Sequence, residues 1–289
     1  MKGRLGMNNK KVIPIVSAVD DHYAPYLSVM MMTLLKHLAD DVAIAFYIID
    51  DHISKASKEK LNQVVSNQSS VIHYLEVNSD LYADVLESDH ITQTAYYRIS
   101  LPDLLSDKHY EKVLYIDCDV LVLEDVSKLY DTDIGENIIG AVIDPGQALV
   151  LERLGIDTDD YYFNSGLMLI DLNNWRKAGI TKKTLTFLQE EEDKIIYHDQ
   201  DALNAILYEK WFQLHPKWNV QTSLLFERHQ PPTAEYKKLY KEAIQHPSIV
   251  HFTGHDKPWN SDEYHPYTQI YLKELAKSPF QQREVESQQ

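Results

Sequence analysis

The first third of the chain restricts the fold most. "KVIPIVSA" (Lys11–Ala18), "VAIAFYIID" (42–50) and "SSVIHYLEV" (69–77) are apolar runs of strand length. Between them, "PYLSVMMMTLLKHL" (Pro25–Leu38) and "SKASKEKLNQVVS" (54–66) carry helical spacing, with Pro25 in a first turn and Ser54 as a cap. A strand–helix–strand–helix–strand order predicts parallel pairing, because each helix serves as the crossover between neighbouring strands. Runs that are apolar throughout predict strands covered on both faces.

The alternation continues down the chain. "TAYYRISLPDLL" is expected to be helical up to Pro102, and "KVLYIDCDVLVLED" to form one strand. "NIIGAVID" (Asn137–Asp144) and "YYFNSGLMLIDL" (Tyr161–Leu172) predict two more strands, and residues 180–192 and 199–210 predict helices. From Trp211 the pattern turns irregular and rich in aromatics and histidine. No repeat or low-complexity linker divides the chain. The expectation is one α/β domain over residues 11–265, then a C-terminal helix and a disordered tail, "QQREVESQQ", over 266–289.

Charge and cysteine content remove several function classes. A net charge of −16, from 44 acidic and 28 basic residues, argues against nucleic-acid binding and against holding an anionic bilayer by charge. Cys118 is the single cysteine, so neither an intramolecular disulfide nor a cysteine-based zinc site can form. No apolar run is long enough to predict a transmembrane segment. The start, "MKGRLGMNNKK", lacks a secretory apolar stretch and holds a second candidate initiator, Met7, so a cytoplasmic location is expected. Neither a Walker A sequence nor a G-x-G-x-x-G after the first strand is present, so a bound nucleotide needs something other than a glycine-rich phosphate loop.

Within "VLYIDCDVLV" (113–122), Asp117 and Asp119 interrupt an apolar run. Burying unpaired charge is costly, and two adjacent carboxylates repel unless a cation holds both ionised. A divalent metal with hard oxygen ligands meets that need, and the carboxyl end of a strand is where α/β sheets bind ligands. The bland reading is a strand that simply ends at Asp117. "VHFTGHDKPW" (Val250–Trp259) adds His251, ranked ahead of His255, a flexible Gly254 and the cation Lys257, a set suited to a metal-bridged diphosphate. "YHDQDALN" (Tyr197–Asn204) opens a helix, and its Asp199, Gln200 and Asp201 exceed what capping needs.

Taken in order, "SAVDDHYAPYLSV", "TAYYRISLPDLL", "KVLYIDCDVLV", "GAVID", "YYFNSGLMLIDLNNW", "HDQDALN" and "HFTGHDKPW" resemble the retaining glycosyltransferases of family 8. That family contains bacterial lipopolysaccharide galactosyl- and glucosyltransferases and, more distantly, glycogenin. The resemblance implies a GT-A fold, a single Rossmann-like α/β domain with a mixed, mainly parallel central sheet flanked by helices. It also implies a UDP-sugar donor, Mn²⁺ (or Mg²⁺), and transfer of glucose or galactose to a glycan, glycoprotein or glycolipid acceptor.

Position by position, the resemblance assigns Asp117, Asp119 and His251 to the metal. Ala18, Asp20 and Tyr23 fall to the nucleoside, Tyr23 stacking on uracil, with His22 standing where the family often has Asn. Gly254 and Lys257 fall to the diphosphate, and Arg98 to the donor sugar and phosphate. Asp144, Asn164, Asp199 and Gln200 surround the hexose, Gln200 nearest the anomeric carbon. An amide is a poor nucleophile, so front-face attack is favoured over double displacement. Cys118 is expected to face the core. Two alternatives stand beside this reading, a catalytically silent UDP-sugar-binding protein and a phosphohydrolase of the haloacid-dehalogenase type. The latter normally carries its D-x-D at the end of the first strand. The end of the sequence, "YTQIYLKELAKSPF" and a tail with little basic charge, leaves peripheral membrane contact open.

Overall fold

The computed structural model describes residues 10–66, 68–82, 93–146, 150–158 and 160–281. The expected tail (282–289) and the start up to residue 9, with Met7, lie outside the described residues. Seven strands form the main sheet: β1 (Lys11–Asp20), β2 (Val42–Asp51), β3 (Val71–Leu75), β4 (Lys112–Ile116), β6 (Ile139–Ile143), β7 (Phe163–Asp171) and β8 (Trp211–Gln213), in the order β3-β2-β1-β4-β7-β6-β8. β7 alone runs against its neighbours β4 and β6, so the sheet is mixed and mainly parallel, as expected. A second, three-stranded sheet is built from β5 (Val120–Val122), β9 (Val220–Gln221) and β10 (Ile249–His251), with β10 in the middle.

β2 shows why these runs are apolar throughout. Ile44, Phe46 and Ile48 face one core, Ala45, Tyr47 and Ile49 the other. The first core is closed by α1 (Ala24–His37), through Leu27, Met30 and Leu34, and by α2 (Lys55–Val65), through Leu61. α2 starts as predicted: the Ser54 hydroxyl accepts the Ser57 N–H, satisfying one of the unpaired donors of its first turn. The second core is closed by the helical segment 93–104, by α3 (Ile180–Glu190) and by α4 (His198–Leu207). Segment 93–104 runs on through Pro102, which sits in the first turn of its last helical piece, where a missing N–H costs nothing.

The irregular C-terminal third holds α5 (Ala234–Gln245) and α6 (Thr268–Leu275). α6 packs on α1, with Lys36 paired to Glu274 at 3.0 Å and Tyr271 buried against Phe252. Among the described residues no helix is long and apolar enough to cross a membrane. What positions the site is the strand order. β2 and β3 lie on one side of β1 and β4 on the other, so the chain reverses its winding between β1 and β4, where a crevice opens at their carboxyl ends.

Candidate active site

β1 and β4 pair in register Val16↔Tyr115, which brings Ala18 and Asp117 to the same end of the sheet. The run "KVLYIDCDVLVLED" is not one strand, as expected, but two. The Asp117 N–H gives a last ladder bond to the Gly166 carbonyl at 2.8 Å, then the chain leaves the main sheet and enters the smaller one as β5. The break releases both carboxylates from the pleat and turns them into one crevice. Cys118 is only partly buried: it packs against the α1-side core but also reaches the crevice wall, and burial keeps its thiol neutral with a pKa well above the ordinary value.

The small sheet supplies a third side chain. β10 pairs antiparallel with β5 in register His251↔Val120, which sets His251 beside Asp119 although 132 positions separate them in the sequence. His251 Nε2 lies 3.2 Å from Asp119 Oδ1 and 3.8 Å from Asp117 Oδ2. Donor atoms of the three side chains all fall within 4.8 Å of one another. A Cβ on Gly166 would collide with both His251 and Asp117, so the space between the ligands exists because residue 166 has no side chain. Two hard carboxylates and an imidazole around such a space fit a divalent cation. Lys257 Nζ sits 2.6 Å from Asp119 Oδ2 and 2.6 Å from the Phe252 carbonyl. Burial pushes the Asp119 pKa up, but Lys257 and His251 outweigh it and hold the carboxylate ionised well below the usual range.

On the opposite wall, Asp144 directly follows β6. Its Oδ2 accepts from Gln200 Nε2 at 3.1 Å and Asn164 Nδ2 at 3.4 Å, and its Oδ1 from the Gly146 N–H at 3.1 Å. Burial raises the Asp144 pKa against those three bonds. Gln200 Oε1 accepts the Ser165 N–H at 2.9 Å and Asn164 Nδ2 at 3.0 Å. Arg98, buried, links the walls: Nη2 is 3.2 Å from Asp117 Oδ1 and Nε 3.2 Å from Asp199 Oδ2. Its other contacts are the carbonyls of Ala95 and Ser165, and its guanidinium lies 4.5 Å from the Tyr115 ring centroid. Burial lifts the Asp199 pKa to about 6 even though Arg98 opposes it, with Asp117 adding repulsion.

Capping does not account for Asp199. Asp201 pins the turn into α4, accepting the Ile196 and Tyr197 N–H groups at 2.7 Å each, together with the Tyr162 hydroxyl and Arg153 Nη2 at 2.8 Å. His198, just before Asp199, takes φ +52°, a left-handed conformation that a non-glycine residue adopts at a cost. Beside β1, Asp20 Oδ1 accepts the Tyr23 N–H at 2.8 Å, and Tyr23 meets Trp259 edge-on at 6.3 Å. Gly254 takes φ +88°, which a side chain would oppose. The thirteen residues that the resemblance assigns to metal, nucleoside, diphosphate and hexose, from Ala18 to Lys257, all line this one cleft of about 690 Å³.

Residues 14–263 match the sequence profile of glycosyl transferase family 8. The chain belongs to that family. It is 44% identical to general stress protein A of Bacillus subtilis (strain 168) over 272 residues, 93% of this chain and 95% of the relative. With the lipopolysaccharide 1,3-galactosyltransferase of Salmonella typhimurium it shares 27% identity over 252 residues, 82% of this chain and 70% of that protein. The crystal structure of the galactosyltransferase LgtC in complex with donor and acceptor sugar analogs superposes with a TM-score of 0.82 at 29% identity, covering 92% of this chain and 96% of LgtC. The architecture is thus the GT-A fold, and the chain is a family 8 glycosyltransferase. The haloacid-dehalogenase alternative fails here: β1 ends at Asp20, and the aspartate pair follows β4.

Several residues of this family 8 site escaped sequence reading. Ser165, Gly166, Gln221 and His229 also line the cleft, and Asn219 lies buried behind it. Gly166 left one signal, a glycine inside an apolar strand, which marks close approach of a neighbour. Asn219, in "KWNVQ", left none, because only the pairing of β9 with β10 brings it to His251.

Proposed function

We propose that this glycosyltransferase moves a hexose, glucose or galactose, from a UDP-sugar to a glycan acceptor with retention of configuration, using Mn²⁺ or Mg²⁺. One observation carries the reading: a metal-fitting triad and a carboxylate–amide cluster face each other across one cleft. Asp117, Asp119 and His251 are the residues that would hold the cation. Bound there, a divalent ion would offset the carboxylates and the charge of the departing diphosphate. Ala18, Asp20 and Tyr23 receive the nucleoside, while Gly254 and Lys257 receive the diphosphate.

On the sugar side Asp144 and Asn164 orient hydroxyl groups, and Asp199, beside Arg98, stabilises positive charge developing at the anomeric carbon. Gln200 supports front-face attack over double displacement. Its carbonyl oxygen already accepts two N–H bonds, from Ser165 and Asn164, so both lone pairs are committed. In front-face attack the bond from the anomeric carbon to UDP breaks. The acceptor oxygen bonds to that carbon on the same face, and the acceptor proton passes to the leaving phosphate oxygen.

The test is UDP release from a panel of UDP-sugars with Mn²⁺ or EDTA, beside Asp119→Ala. Slow, metal-dependent hydrolysis of one UDP-hexose, absent in the variant, is the expected result. UDP binding without turnover, even with glycan acceptors added, favours the silent sugar-nucleotide binder. No UDP binding sinks the proposal.

A further inference from the structure

Behind the metal wall, Asn219 is fully buried between the turn at Pro216–Trp218 and β9. Its amide joins the two sides of the site. Asn219 Oδ1 lies 2.9 Å from His251 Nδ1, and Asn219 Nδ2 lies 2.9 Å from Asn164 Oδ1. Backbone donors fix the direction of each bond. The Ser165 N–H donates to Gln200 Oε1 at 2.9 Å, and the Gly166 N–H donates to Asn164 Oδ1 at 3.1 Å. Asn164 therefore turns its nitrogen to Gln200 Oε1 and Asp144 Oδ2, neither of which donates. The Asn219 atom facing Asn164 Oδ1 must then be the amide nitrogen, which leaves the Asn219 oxygen for the histidine. An amide oxygen has no proton, so His251 Nδ1 carries one. With Nδ1 committed to Asn219, Nε2 is the nitrogen that faces Asp117 and Asp119, and its lone pair is the one a cation there would take.

We propose that Asn219 is a positioning residue of the metal centre: it holds His251 as the Nδ1–H tautomer, presenting Nε2 to a divalent cation, and it orients Asn164 on the sugar wall. This deepens the metal reading above and rests on it. The relay explains why a fully buried amide sits where a leucine of similar size would avoid all desolvation. It also links two sets of residues that share no direct bond: one side chain joins His251 to Asn164, and through it to Asp144 and Gln200.

Two substitutions separate the relay from a general packing role. Asn219→Leu removes both bonds. Asn219→Asp keeps an acceptor for the Nδ1 proton but sets a carboxylate oxygen against Asn164 Oδ1, so only the sugar-side duty is lost. The measurement is the Mn²⁺ affinity of wild type and both variants, read from the spin-resonance signal of the free ion without UDP-sugar. Asn219→Leu is expected to bind Mn²⁺ about 10–100-fold more weakly, the usual cost of losing a ligand's hydrogen-bond partner, while Asn219→Asp stays within about threefold of wild type or tighter. Turnover of the UDP-hexose at saturating Mn²⁺ is expected to fall in Asn219→Asp as well.

The ring nitrogens of His251 in ¹⁵N-histidine-labelled wild type, loaded with diamagnetic Mg²⁺ and UDP and assigned with His251→Gln, give a second readout that needs no Asn219 variant. Nδ1 is expected to be protonated and Nε2 not; this spectrum decides alone if Asn219→Leu does not fold. Equal loss of affinity in both variants, no loss in either, or a proton on Nε2 overturns the relay. Wild type that binds neither ion overturns the metal reading itself, and the inference with it.

Discussion

On the wall proposed to hold the metal, Asp117 and Asp119 share His251, with Lys257 and Arg98 as the nearest cations. On the wall proposed to hold the sugar, Asp144 meets two neutral amides and a backbone N–H, and Gln200 and Asn164 bond to each other and to β7. The first wall concentrates charge, and the second spreads it through dipoles fixed before any ligand arrives. Low-dielectric networks of satisfied dipoles hold their geometry, whereas a cluster with surplus carboxylates is completed by an incoming cation. Damage to the two walls should therefore be read in different measurements, ion binding for one and turnover for the other.

The comparison breaks most sharply at Gly166→Ala. The added methyl would fall on His251 and Asp117 but only press on Asn164 Oδ1 at 3.1 Å, so the triad must open while the amide network next door gives slightly. Turnover of the UDP-hexose is expected to drop by about 10²–10³-fold, the scale of losing one strong transition-state contact, with a parallel loss of Mn²⁺ affinity by calorimetry. Unchanged Mn²⁺ binding would show that the triad is not where the ion sits.

The two walls were also unequally legible in the sequence. Asp117 and Asp119 stand out because charge in an apolar run demands a partner, and the β–α–β alternation places them at a strand end. Their actual geometry was not readable, because the run belongs to two sheets and changes from one to the other at the pair itself. His251 could be paired with them only through the family resemblance. Its approach depends on the register of β5 with β10, a non-local pairing that no local pattern encodes. Asp201 looked like part of the chemistry beside Asp199, yet it holds the turn; a carboxylate facing backbone N–H groups and one facing a guanidinium spell the same letter.

A sharper probe of the sugar wall is Gln200→Ala. It removes an amide that donates to Asp144 and fixes Asn164, and it touches none of the three metal-fitting side chains. The expected loss is about 2 kcal/mol of transition-state stabilisation, or about thirty-fold in kcat, with Mn²⁺ and UDP affinity unchanged. Complete inactivity with intact donor binding would move Gln200 from positioning to direct chemistry. That result would revive double displacement.

The smallest effect concerns proton linkage at Asp199, on the border between the walls. Its carboxyl faces Arg98 and the Ser165 hydroxyl, with Asp117 and His198 also acting on it, and burial lifts its pKa to about 6 from 3.8. A folded-state pKa above the unfolded one means that the native protein prefers the protonated form. The resulting stabilisation is fully present below pH 3.8 and is lost as the pH rises through 6, a span of about 3 kcal/mol. Asp199→Asn keeps an acceptor for Arg98 and Ser165 but cannot titrate. The stability of metal-free wild type relative to this variant, from denaturant melts at a series of pH values, is expected to fall between pH 4 and 7 and then level. In turnover the sign reverses, since in the proposed mechanism the ionised form is the one that stabilises positive charge: the wild-type rate should climb by less than about tenfold from pH 5 to 7, a limb missing in the variant. A cation on Asp117 removes one of the charges raising this pKa, so the limb of the metal-loaded enzyme should lie on the acid side of the apoprotein's titration. A limb that stays at the apoprotein's titration on loading would mean that the two walls are not coupled through Arg98 and Asp117.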